Sequence, residues 1–142
     1  MSIAGNKVLA RRIVEEIFSQ GNLNSINELF APGIVIHDPD KELHGIEQVK
    51  QGILNLRSAF PDLSYAVEDM IAEGNKVVIR FTGKGTQRGE FRGVSPTEKR
   101  MSYTGIMILR FAESKVVEYW AVSDVLGIFR QLGVVPPVKV GS

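Results

Sequence analysis

The spacing of apolar residues divides the chain into a helical first part and an alternating second part. Between Asn6 and Gln20, Leu9, Ile13 and Ile17 recur at helical spacing with Ala10, Val14 and Phe18 beside them, and Gly21 supplies the stop. One broad face of this helix is expected to be buried. Asn22 or Asn24 can cap a second, short helix carrying Leu23, Ile26, Leu29 and Phe30, which Pro32 and Gly33 terminate. Ile34 to His37 reads as a brief strand, followed by a polar loop from Asp38 to Gly45. A third helix is predicted from Ile46 to Phe60, with Ile46, Val49, Ile53, Leu56 and Phe60 on its inner stripe and Pro61 as its stop.

From Asp62 onward the period is two. The runs Leu63 to Glu73 and Lys76 to Gly89 are joined by Gly74-Asn75, a hairpin signal because both residues tolerate positive φ. That turn sets Asp69 opposite Arg80. The loop RGEFRGVSPTEK leads to a strand from Arg100 to Phe111, and Ala112 to Lys115 makes the last reversal. A two-residue loop at Glu113-Ser114 would place Met107 opposite Trp120 and Tyr103 opposite Asp124. Three helices, a meander of four long strands and a short C-terminal helix predict an α+β fold, with helices covering one face of a curved, mostly antiparallel sheet. Glycines at 83, 85, 89, 93 and 105 suit strong bending.

Composition narrows the function classes. At 142 residues the chain is expected to form one domain, with a mobile or extended tail from about residue 134, where two prolines preclude a helix. The balance of 17 basic against 16 acidic residues, with no basic run, argues against nucleic acid or an anionic membrane as partner. No Cys is present, which removes disulfides and thiolate chemistry. No apolar run approaches the ~18 residues that span a bilayer, and the N-terminal residues lack a signal-peptide core, so the cytoplasm is the expected location.

The candidate chemistry lies in KVVEYWAVSDVLGIFRQLG. Alternation puts Val116, Glu118, Trp120, Val122 and Asp124 on one face and Val117, Tyr119, Ala121 and Ser123 on the other. If the first face lines a cavity, Asp124 is a carboxyl among apolar walls, where poor solvation raises its pKa and suits it to carry a proton. A rival reading makes Asp124 the cap of the helix VLGIFRQLG. Trp120, Val122, Tyr103 and Met107 would line the same cavity or simply pack the core. His37 is either a strand-end imidazole satisfied by neighbouring groups or a donor to substrate. His37 and His44 lack metal-ligand spacing, and no metal or cofactor is expected.

The order of the blocks EEIFSQGNLNSINELFAPGIVIHDP, AFPDL, VEDMIAEGNKVVIRF, GEFRGVSPT, GIMILRF and VVEYWAVSDVLGIFRQLG resembles the SnoaL-like polyketide cyclases, a branch of the nuclear transport factor 2-like superfamily. The resemblance implies a cone-shaped sheet wrapped by helices around a deep pocket, in homodimers or homotetramers. It also implies cofactor-free intramolecular aldol ring closure on a hydrophobic, polyketide-like substrate. The acid/base of the family's Trp-x-x-x-Asp segment maps onto Asp124, and the pocket histidine of its HDP segment onto His37. The chain departs from the pattern where Gln87 follows Gly85-Thr86 in place of a common His, and where Glu113-Ser114 replaces Asp-Gly. Two alternatives stay open: an isomerase or hydrolase using the same pocket, and a non-catalytic ligand-binding or dimerisation module.

Overall fold

The computed structural model describes residues 2–135, so the expected tail falls largely outside the described residues. The chain opens with α1 (Ile3–Arg12), which starts ahead of the apolar pattern because the Ser2 hydroxyl caps it, accepting from the Gly5 N–H at 2.9 Å. It runs on into a π-helical segment, Ile13–Ser19. The wider turn keeps Ile13, Val14 and Ile17 fully buried while Phe18 extends toward the sheet. Arg57 satisfies the carbonyls at this helix end, donating to Phe18 O at 2.9 Å and Ser19 O at 3.1 Å, and ties them to Leu63 O at 3.1 Å. Gly21, at φ +68°, passes beside the guanidinium, where a Cβ would lie 2.5 Å from Nε. Asn22 caps α2 (Leu23–Leu29), accepting from the Asn24 N–H at 3.1 Å.

Two corrections follow. Strand β1 is Phe30–His37, so Phe30 to Gly33 belong to it and not to the helix end. Pro32 and Gly33 are tolerated there because the pairing is interrupted between Phe30 and Val35. The supposed polar loop contains β2 (Glu42–His44), a short edge strand antiparallel to β1. Then come α3 (Ile46–Ala59), β3 (Ser64–Glu73), β4 (Lys76–Thr86), β5 (Arg100–Ala112), β6 (Lys115–Ser123) and α4 (Val125–Leu132). The sheet order is β2-β1-β6-β5-β4-β3, antiparallel except for the β1–β6 pair. This is the expected α+β layering. Its core lies between the helices and the inner sheet face, where Val77, Ile79, Met107 and Leu109 meet Ile13, Ile17 and Ile53.

Turn chemistry set the β3–β4 register as predicted. Asp69 faces Arg80, and their side chains pair at 2.7 Å. Both are exposed, so the pair contributes only ~0.2–1 kcal/mol. The last hairpin begins as predicted too, because Glu113 and Ser114 both adopt left-handed φ, 50° and 66°, and Ala112 faces Lys115. The register then slips. Phe111 faces Val116, but Arg110 faces Glu118, leaving Val117 as the extra residue of a β-bulge. Every later pair is offset by one: Ile108 faces Trp120, Met107 faces Ala121 and Gly105 faces Ser123. The expected Met107–Trp120 and Tyr103–Asp124 pairs therefore do not form. An extra residue also exchanges the two faces, so Trp120 and Val122 point outward while Tyr119, Ala121 and Ser123 point inward.

Candidate functional site

The inner sheet face and the helices enclose a cavity of about 380 Å³, within the usual range for small-molecule sites. One wall is aliphatic, built from Ile17, Ile36, Ile53, Leu56 and Ile128. The rest of the lining is largely aromatic. Tyr65 is sandwiched between Phe18 (centroids 4.8 Å apart, 13° between planes) and Phe81 (4.6 Å, 10°). Tyr103 stands edge-on to Tyr65 at 5.9 Å, and the two hydroxyls hydrogen-bond to each other. Burial pushes both phenols up, Tyr103 to about 12.

The acid in this cavity is Asp38. It follows Ile34 and Ile36 at strand alternation, which turns it inward with them, while His37 turns outward. Its backbone N–H donates to Lys41 O at 2.9 Å in the tight link between β1 and β2. Its carboxylate makes no hydrogen bond or ion pair among the described residues, and burial raises its pKa above the ordinary value, with Lys41 and Arg92 pulling the other way. Tyr119, only 5% exposed, also lines the cavity, and its hydroxyl has no partner among the described residues. Burial and the nearby Asp38 charge both push its pKa up. Exposed Lys41, Glu90 and Arg92 mark the opening, and Arg92 is paired with Asp40 at 2.6 Å, which ties the 88–99 loop to the β1–β2 link.

The residues singled out from sequence divide sharply. Tyr103 lines the cavity as expected. Met107 is fully buried in the core without lining the cavity. Asp124 is exposed, lies outside the cavity lining, and caps α4 by accepting from the Gly127 N–H at 2.9 Å, so its expected placement in an apolar hollow is corrected. Val122 is 63% exposed on the outer face. His37 stacks on Trp120 there, with centroids 5.5 Å apart, and bonds to Glu118 at 2.7 Å and Glu42 at 3.0 Å. Those carboxylates raise the imidazole's pKa, Glu118 more than Glu42. The bulge at Val117 explains the outward placement of Trp120 and Val122, and the parity of β1 that of His37. Asp38, Tyr65 and Tyr119 were missed. The signal for Asp38 was present in Ile34-x-Ile36-x-Asp38, and that for Tyr119 required the bulge.

Gln87 is fully buried and serves the loop. Its amide donates to the carbonyls of Gly89, Val94 and Ser95 at 3.0 to 3.2 Å and accepts from Thr97 N–H at 3.1 Å and Thr97 Oγ1 at 2.7 Å.

The sequence matches the family described as SnoaL-like polyketide cyclase over residues 8–132. No match was found among curated proteins. Among solved structures the chain is similar to AclR of Streptomyces galilaeus, proposed to be a hydroxylase, with 34% identity and a TM-score of 0.86 over 98% of this chain and 87% of that one. It is similar to IdmH of Streptomyces antibioticus, proposed to be a polyketide cyclase, with 30% identity and a TM-score of 0.79 over 91% of this chain and 99% of that one. A protein of Jannaschia sp. CCS1, proposed to be a SnoaL-like polyketide cyclase, has 26% identity and a TM-score of 0.88 over 96% of this chain and 97% of that one.

Proposed function

The chain belongs to the SnoaL-like polyketide cyclase family and has its nuclear transport factor 2-like fold; from that premise we propose that it is a cofactor-independent cyclase for a hydrophobic, carbonyl-rich small molecule, with Asp38 as acid/base. The observation that carries this reading is an unpaired, half-buried carboxyl set among apolar and aromatic walls. As a carboxylate, Asp38 removes a proton from a methylene activated by two carbonyls. The carbanion's electron pair forms the new carbon–carbon bond at a second carbonyl, whose π electrons move to its oxygen. The resulting alkoxide takes the proton back from Asp38, so the substrate is isomerised and no other reactant is needed. Tyr119, beside Asp38, donates a hydrogen bond to the oxygen that gains charge. The cavity walls fold the substrate so that the two carbons meet, which supplies the orientation part of the rate.

Polyketide methyl esters and simple β-keto esters, followed by product analysis, test the reading. Asp38→Asn is expected to lower kcat by ~10²–10⁴-fold, the ordinary contribution of a general acid/base. Asp124→Asn keeps a capping side chain and is expected to leave turnover within about twofold. Equal turnover by wild type and Asp38→Asn removes Asp38 from the mechanism, and a loss confined to Asp124→Asn returns the role to that residue. Proton return at a different carbon without ring closure marks an isomerase, release of alcohol from the ester a hydrolase, and no turnover by any protein the binding-module reading. The likeness to AclR favours a second reading, hydroxylation of the same substrate class by O2 with an added two-electron reductant, the second oxygen atom leaving as water, which reductant-dependent oxygen consumption detects.

A further inference from the structure

We infer that the Tyr65–Tyr103 pair at the aromatic wall is a second polar anchor of the cavity, separate from Asp38, which binds the oxygen of an enol, enolate or phenolate set on a planar ring system. The inference rests on the proposed use of this cavity for carbonyl-rich substrates, and adds which atom of such a substrate is held and what shape surrounds it.

The sequence builds the pair on a glycine. Gly83 faces Tyr65 on one neighbouring strand and Tyr103 on the other. With no side chain between them the two rings close over Gly83, where a Cβ would come within 2.8 Å of each. Their hydroxyls meet above it. Both residues are buried, 9% and 5% exposed, and both line the cavity. One hydrogen bond between two phenols uses one of their two hydroxyl protons. The other proton has no acceptor among the described residues, since neither hydroxyl bonds to any other group. A buried donor left over in this way is satisfied by an oxygen in the cavity.

The pair is also held rigidly. Tyr65 cannot swing, being stacked on Phe18 on one side and Phe81 on the other, and Tyr103 is edge-on to Tyr65 and to Phe81. Gly105 removes the side chain that would otherwise strike Phe81, where a Cβ would lie 2.5 Å from the ring. Donors fixed before the ligand arrives favour an oxygen bearing negative charge over a neutral carbonyl, because no reorganisation is needed. Burial keeps both phenols protonated over the physiological range, so the pair donates and does not act as a base. Both faces of Tyr65 are covered, but Phe18, Phe81 and Tyr103 line the cavity beside the pair and favour an aromatic ligand, in which the charge is spread over the ring system.

The test compares 2-naphthol with naphthalene, followed by fluorescence, in the wild type, Tyr65→Phe and Tyr103→Phe. The wild type is expected to bind 2-naphthol at least tenfold more tightly than naphthalene, and the bound naphthol to ionise at lower pH than in water. Each Phe variant is expected to lose most of that preference, with naphthalene affinity unchanged within about twofold. Naphthol bound no better than naphthalene by the wild type overturns the anchor while leaving the cavity reading in place, and needs no variant to fold. No binding of either compound overturns both. Preference retained in both Phe variants also overturns the anchor. Because naphthol binding requires no turnover, loss of the Asp38 mechanism leaves this result unaffected.

Discussion

A half-buried carboxylate without a cation on it makes the folded state less stable than it would be with a neutral side chain. Burial raises Asp38 above its ordinary value of 3.8, so the folded protein binds this proton more tightly than the unfolded chain. Its favourable contribution is present below that ordinary value and is lost as pH rises through the folded pKa. Asp38→Asn is therefore expected to raise Tm at pH 7, the gain shrinking as pH is lowered past the carboxyl range. Thermal unfolding at a series of pH values checks this, and an Asn variant less stable than wild type at pH 7 contradicts it. His37 has the same sign from the opposite cause. Glu118 and Glu42 raise its pKa above 6.5, so the stability it adds is present below that value and disappears as pH rises through the folded pKa. A proton NMR titration is expected to place His37 above 6.5 in the wild type and lower in Glu118→Gln. An unchanged titration in the variant would show that Glu118 does not hold the imidazolium.

At the level of elements, the bulge in β6 decides the identity of the site. Val116 is buried and so is Tyr119, three residues on, which strict alternation forbids and one extra residue allows. The sequence around it, KVVEYW, carries apolar or aromatic groups at both parities and so conceals the slip. The 88–99 loop raises the opposite case, a connection without regular structure that one side chain organises. Gln87→Ala would leave the carbonyls of Gly89, Val94 and Ser95 and the Thr97 N–H without their partner. A loss of about 2–3 kcal/mol in denaturant unfolding is expected, the usual cost of abandoned buried polar groups. Gly83→Ala is expected to cost ~1–3 kcal/mol by overpacking against Tyr65 and Tyr103. Unfolding midpoints equal to wild type would sink either expectation.

Across the whole molecule, the face left outside by the bulge forms a row. Ile71 faces Val78, Val78 faces Ile108, Ile108 faces Trp120 and Trp120 faces His37, which carries apolar and aromatic surface across five strands. Beside it run Ile106, 48% exposed, and Val122, 63% exposed. The row is bordered by both signs of charge, in Arg80 with Asp69 and Arg110 with Glu118. A second copy turned by a two-fold axis can match apolar centre to apolar centre and cation to anion, and we propose that the chain forms a homodimer through this face. Sedimentation velocity is expected to show a dimer for the wild type and a monomer for Ile106→Lys combined with Val122→Glu. A wild-type monomer at high micromolar concentration, or a variant that still dimerises, would exclude this face.

Helix and strand periods, proline and glycine stops and the Gly74-Asn75 turn act between near neighbours, and for that reason the sequence by itself determined the α+β layering, the four long strands and the Asp69–Arg80 register. Tyr103 does line the cavity, but beside Tyr65 and not opposite Asp124, because the pairing that the sequence suggested for it does not form. The acid was a different matter. Alternation from Ile34 and Ile36 turns Asp38 to their side, but whether Asp124 faces the hollow depends on one unpaired residue in β6, and β1 joins this sheet only by pairing with a strand far away along the chain. Those are contacts between distant segments, and the local pattern of KVVEYW fits either arrangement. Only the assembled sheet chose between them, since a shift of one residue in a strand turns every later side chain to the other face.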